Sequence, residues 1–95
     1  MNTLAQLEAS AIARGVRFER ERMVVILTDG RELSVPLDWY PRLEQATVEQ
    51  REHWELIGTG DGIHWPDLDE DLPVIGILLG LKPPASLAPK PREQR

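Results

Sequence analysis

The chain has no cysteine, one phenylalanine, one tyrosine and no long apolar run. Without thiols there are no disulfide staples, no thiolate nucleophile and no cysteine-based zinc or iron–sulfur site, so the hydrophobic core must carry the stability. The longest apolar block, residues 74–81, falls far short of the roughly 20 residues that cross a bilayer. The opening Met1-Asn2-Thr3-Leu4-Ala5-Gln6 has neither a basic start nor a continuous apolar stretch, so no export signal is expected and the address is cytoplasmic by default. A net positive balance is found only in the C-terminal segment. Residues 1–60 carry a formal charge of −3, residues 61–71 carry −5, and residues 72–95 carry +3. A surface of that sign repels phosphate backbones, so nucleic acid is not the expected partner of the globular part, and nothing calls for a membrane.

What is present is an ordinary globular composition: 95 residues, 41% hydrophobic and 28% charged. That is enough for one small core and too little for two lobes with a cleft. Thr3-Leu4-Ala5-Gln6 reads as a capping box opening a helix, with Leu4, Leu7, Ala11 and Ile12 at helical spacing and Gly15 as its stop. From Val16 the period becomes two, and after a reversal at Arg20-Glu21-Arg22 the run Met23–Leu27 has the unbroken apolar character of a central strand covered on both faces. Asp29-Gly30 predicts a two-residue hairpin turn into an alternating strand through Leu33, Val35 and Leu37, with Pro36 at an edge or exit. A helical turn is expected after Pro41, and a second helix from the capping box Thr47–Gln50 to about Trp54. Glu55–Ile57 and Ile63–Trp65 form a second hairpin across glycines, with Ile63 and Trp65 on one face and His64 on the other. A last helix is expected from Pro73 to Leu79, capped by Asp69 or Asp71 and stopped by Gly80. The expectation is a single α+β domain over residues 1–81, a small antiparallel sheet of two hairpins packed with about three short helices. Residues 82–95 are expected to be a proline-rich, basic, disordered tail.

Several ordered words resemble one small bacterial family, the domain of unknown function numbered 2442. They are Asp29-Gly30-Arg31, Val35-Pro36-Leu37-Asp38-Trp39-Tyr40-Pro41-Arg42-Leu43, Ala46-Thr47-Val48-Glu49-Gln50-Arg51, Trp54-Glu55-Leu56-Ile57-Gly58, and Gly62-Ile63-His64-Trp65-Pro66 followed by Asp69-Glu70-Asp71-Leu72. The resemblance covers roughly Val16 to Gly80 and implies a compact α+β fold. It supplies no catalytic residues. It also implies relatives that carry a helix-turn-helix domain, or that are encoded beside another small protein like a toxin–antitoxin pair; here a proline-rich segment stands in the helix-turn-helix position.

The densest chemistry lies in Gly60–Asp71. Asp67, Asp69 and Asp71 alternate as at the start of a calcium loop, but Leu72 stands where the turn needs glycine and Leu78 where a closing glutamate belongs. His64 with Asp67 and Asp69 is therefore only a weak candidate metal set, and no motif calls for a cofactor. His64 beside carboxylates could act as a general base, yet Ser10, Thr28, Ser34, Thr47 and Thr59 have no nucleophile elbow or neighbouring base. Gly58-Thr59-Gly60-Asp61-Gly62 lacks the lysine and following helix of a phosphate loop. His53 reads as an exposed side chain on the second helix. Trp39, Tyr40, Trp54 and Trp65 suit either a core or a partner hot spot. At least two of the tryptophans are expected to be structural and Trp39-Tyr40 the more exposed pair. The sequence reading is thus a non-catalytic protein-binding module, antitoxin-like or regulatory. Its partner surface would be Trp39, Tyr40, Arg42, Trp65, Asp67, Asp69, Glu70 and Asp71, facing a basic protein. The alternatives are a metal- or small-ligand-binding protein or weak hydrolase using His64 and the acidic loop, and a self-associating module, a homo-oligomer sealed by the N-terminal helix or a sheet edge.

Overall fold

The computed structural model describes Gln6 and residues 9–81. The expected Thr3 cap, the Leu4 and Leu7 positions and the tail from Lys82 onward lie outside the described residues. From Ala13 onward the described residues form two three-stranded antiparallel sheets, each a simple meander, decorated by three short α-helices, so the α+β expectation holds with two more strands than two hairpins supply. The first sheet joins β1 (Ala13–Glu19), β2 (Arg22–Leu27) and β3 (Glu32–Pro36). A 3-10 turn, Leu37–Trp39, leads to α1 (Pro41–Glu44) and α2 (Val48–Glu52). The second sheet joins β4 (Glu55–Ile57), β5 (Gly62–Trp65) and β6 (Glu70–Pro73), and α3 (Val74–Leu78) follows.

β2 is the central strand of its sheet, as its apolar run requires. Met23, Val25 and Leu27 enter the core, while Val24, between Arg17 and Ser34 on the opposite face, is buried as well. Its turn into β3 departs from the two-residue expectation. Gly30 N donates to Leu27 O (3.0 Å) and Leu27 N to Arg31 O (2.8 Å), so the loop is residues 28–30. Gly30, at φ +97°, supplies the left-handed residue that follows a type I turn in three-residue hairpins. Asp29 fixes the turn by accepting from Arg31 N (3.0 Å) and Arg31 Nε (2.8 Å).

The N-terminal segment also differs from expectation. Gln6, Ala9 and Ser10 are helical, but the chain has entered β1 by Ala13, and Gly15 lies inside that strand opposite Ile26, beside a bulge, and does not stop a helix. Strand pairing with β2 overrides the local propensity of Ala-Arg-Gly.

The two sheets are welded at one point. Ala13 N donates to Gly60 O (2.7 Å), and a Cβ at Gly60, itself at φ +112°, would stand 2.2 Å from Ala13 O. Only glycine permits that approach. Around the weld a single core forms from both sheets, with Met23, Leu27, Tyr40, Leu43, Ile63, Trp65 and Val74 among its members.

The capping box at α2 is as expected: Gln50 N donates to Thr47 Oγ1 (3.1 Å) and Thr47 N to Gln50 Oε1 (2.9 Å). The helix ends at Glu52 rather than near Trp54, because His53 leaves helical geometry (φ −95°, ψ 66°) to start the approach to β4. α3 ends in the hydrogen-bond pair Gly80 N to Ile77 O (3.1 Å) and Leu81 N to Gly76 O (2.8 Å), a Schellman closure with Gly80 at φ +76°. Its start differs. Pro73 occupies the N-cap with no side-chain cap bond, so neither Asp69 nor Asp71 caps the helix.

Candidate functional site

The acidic segment is not a free loop before a helix. Its second half is β6: Glu70 pairs with Trp65, Asp71 with His64, Leu72 with Ile63 and Pro73 with Gly62. Leu72 and Ile63 are buried on the inner face, so period-two burial decides the conformation despite two adjacent carboxylates. The reversal before it covers residues 66–69, closed by Leu68 N donating to Trp65 O (3.1 Å), with Asp69 at φ +52°. Aspartate tolerates that left-handed backbone better than most residues.

Three separate elements grip this turn. At the end of α2, His53 Nδ1 donates to Asp67 Oδ2 (2.9 Å). From α1, Arg42 Nη1 donates to Leu68 O (3.3 Å) and Asp69 O (3.0 Å) and stands 3.7 Å from the Glu70 carboxylate. From β5, His64 Nδ1 donates to Asp71 Oδ1 across the strand pair. β4 adds Glu55 directly opposite His64, which makes a row Glu55–His64–Asp71 over the outer face of the second sheet. The bond to Asp71 raises the His64 pKa above its ordinary 6.5; partial burial opposes this, and the charges of Asp71, Glu55 and Asp69 add to the rise. Glu70 is pushed above its ordinary value chiefly by burial. Arg42 pulls the other way but is shared with two backbone carbonyls.

The surface expected from sequence is therefore brought together in part. Arg42, Asp67, Asp69, Glu70 and Asp71 meet in one place. Tyr40 and Trp65 do not join them at the surface: Tyr40 is 1% exposed and Trp65 0%. Trp65 Nε1 donates to Arg51 O (2.9 Å), and among the described residues the Tyr40 hydroxyl has no hydrogen-bond partner. The exposed-pair expectation fails because Leu37 and Leu43, flanking Tyr40 on the 3-10 turn and α1, are themselves core residues and carry its ring inward. Trp39 is half-buried, tilted 56° against Tyr40 with ring centres 6.5 Å apart, and Trp54 is half-buried against the core.

Among the described residues no three histidine or acidic side chains converge as a metal set. His64 and Asp67, from the weak metal candidates, belong to different pairs. Each imidazole is bonded to a carboxylate, while Ser34 Oγ accepts from Arg22 Nε (2.7 Å) and Thr47 Oγ1 caps α2.

A match to the family described as "Protein of unknown function (DUF2442)" spans residues 13–83. The chain belongs to this family. Two solved structures share its fold. A protein of unknown function from Rhodospirillum rubrum is 31% identical, covering 80% of this chain and 94% of its own, with a TM-score of 0.69. The uncharacterized protein CV0863 from Chromobacterium violaceum, solved in solution, is also 31% identical, covering 88% of this chain and 78% of its own, with a TM-score of 0.71. No curated protein matches the chain. The DUF2442 match starts at the first residue of β1 and runs past α3, so it contains both sheets and the gripped turn.

Sequence reasoning missed His53, treated as a bystander, and Glu55. Their signal was present: a histidine just past a capped helix and a glutamate in register with His64 both follow once the hairpin is drawn. A second feature gave no sequence signal. An open groove of 1060 Å³ lies between the β1–β2 reversal and the ends of α1 and α2.

Proposed function

We propose that this DUF2442 chain is a non-catalytic protein-binding module whose partner presents a basic surface. The observation that supports this reading is the grip on the acidic turn: Asp67, Asp69 and Asp71 are exposed, yet Arg42 from α1 holds the turn backbone, and His53 and His64 hold the Asp67 and Asp71 carboxylates. Carboxylates fixed in this way need little ordering on association, and their field steers a cationic partner. Arg42 borders the surface, while buried Trp65, paired with Glu70, supports it from the core. The specific form proposed is a cytoplasmic neutralising or regulatory member of a small two-component system, in which masking a nucleic-acid-directed protein calls for this sign of charge.

The test is retention of a stoichiometric partner by tagged protein expressed in its own host, with Asp67→Asn, Asp69→Asn and Asp71→Asn combined as the comparison. A basic protein held by the native chain and lost by a folded triple variant is the expected result. Native protein that emerges alone, or equal retention by both, overturns the reading.

A further inference from the structure

The groove at the β1–β2 reversal lies outside the acidic turn and none of its lining residues serves the surface proposed above. Its lining combines Pro36 and Leu37 with charges of both signs, Arg20 and Arg51 among the cations and Glu21, Asp38 and Glu44 among the carboxylates. Arg51 is already committed to closing α1, donating from Nε to Leu43 O (2.7 Å) and from Nη2 to Glu44 O (2.7 Å). The side chains of Arg20, Glu21, Asp38 and Glu44 are exposed and make no ion pair or hydrogen bond among the described residues. Arg20 has a further peculiarity. The reversal between Glu19 and Arg22 has two residues, and Arg20 holds φ +54° at the first of them. Tight hairpins place glycine at such a position, because a side chain there costs about 1 kcal/mol or more.

We infer that this groove is a second binding site, which takes an extended peptide segment of a partner protein carrying both acidic and basic side chains. Mixed walls decide the chemistry: the carboxylates repel a phosphate or a purely acidic ligand, and the arginines repel a purely basic one. The volume lies at the upper end of small-ligand pockets and the groove is only partly enclosed, which suits a chain segment better than a small metabolite. The strained arginine at the tip then has a role that glycine could not fill, since it brings a guanidinium to the groove wall at the expense of turn stability. This site deepens the protein-binding reading and supplies a contact of a different charge character.

The probe is an acetylated, amidated peptide of lysines and glutamates alternating between alanines, titrated into isotopically labelled full-length protein and followed by amide chemical shifts. All-lysine and all-glutamate versions of the peptide are the controls. The mixed peptide should perturb the amides of residues 19–22, 37–38, 44 and 51. Arg20→Gly should weaken that binding roughly tenfold while raising the melting temperature, a pairing that a purely structural Arg20 would not produce. Glu44→Gln should weaken it without altering stability. The Asp67, Asp69 and Asp71 triple variant should bind the mixed peptide as the native chain does, which keeps this test separate from the acidic surface. The inference is overturned if no peptide shifts the groove amides, if the all-lysine peptide shifts the acidic turn in their place, or if Arg20→Gly stabilises the fold and binds unchanged.

Discussion

Tyr40 shows how a single side chain can carry a cost inside an otherwise satisfied core. Its ring fills the space between Leu37, Leu43 and the two sheets, but its hydroxyl is buried without a hydrogen-bond partner among the described residues, and burial also pushes the phenol pKa up. An unmet hydroxyl costs free energy that a ring edge does not. Tyr40→Phe is therefore expected to stabilise the fold by roughly 1 kcal/mol, read as a higher urea midpoint with an unchanged slope. Loss of stability would mean that a bound water satisfies the hydroxyl. The same substitution should leave partner binding unchanged, because Tyr40 is buried and cannot touch a partner. The sequence could not show this. Trp39-Tyr40-Pro41 has the composition of an exposed anchor, and only the 3-10 turn and the buried Leu37 and Leu43 on either side direct the ring inward. Trp65 was more legible, since period two from Ile63 already placed it on the inner face.

Elements were legible where local hydrogen bonding decides them and obscure where long-range pairing does. The α2 capping box and the Gly80 stop of α3 are local chemistry, and both are found where the sequence placed them. β6 was hidden because four carboxylates crowd around it, and only the buried pairing of Leu72 with Ile63 makes it a strand. Its outer face holds the His64–Asp71 pair, and the sign of its pH dependence follows from the shift. A histidine whose folded-state pKa is raised contributes stability that is fully present below its ordinary 6.5 and is lost as pH rises through the raised value. Asp71→Asn removes the main cause of that rise. Between the carboxylate range and 6.5 the native chain should melt above the variant, and at mildly alkaline pH the two curves should converge. Histidine ring signals followed by NMR should show His64 titrating at lower pH in the variant. A constant gap in melting temperature from mildly acidic to alkaline pH would show that Asp71 acts by packing or backbone geometry and not by pairing with the imidazole.

At the scale of the whole molecule, two small meanders share one side-chain core and also meet through a backbone contact. Each sheet has an apolar face to cover, and here each completes the other's core through Leu27, Val25, Ile63, Trp65 and Leu72. The weld from Ala13 N to Gly60 O joins them, while Thr28 N to Ile12 O (2.9 Å) and Val74 N to Asp61 O (2.9 Å) continue the β1–β2 and β5–β6 pairings next to it. In the sequence Gly60 was one of three glycines in a hairpin connection, and nothing distinguished it from Gly58. The structure does: a Cβ on Gly58 would meet the movable Asp61 carboxylate at 2.9 Å, whereas one on Gly60 would meet backbone at 2.2 Å. Gly60→Ala combines a left-handed backbone with a steric clash against a carbonyl that β1 cannot withdraw without losing its register with β2. The expected loss is about 3 kcal/mol or more, with Gly58→Ala costing less than half of that. Urea unfolding followed both by tryptophan emission, which reports on Trp54 and Trp65 around the second sheet, and by amide exchange of β2 distinguishes the outcomes. Loss of both signals together at a lower midpoint is expected if the weld makes the sheets one cooperative unit. If the tryptophan signal is lost first while β2 stays protected, the sheets fold independently and the Gly60 contact only docks them.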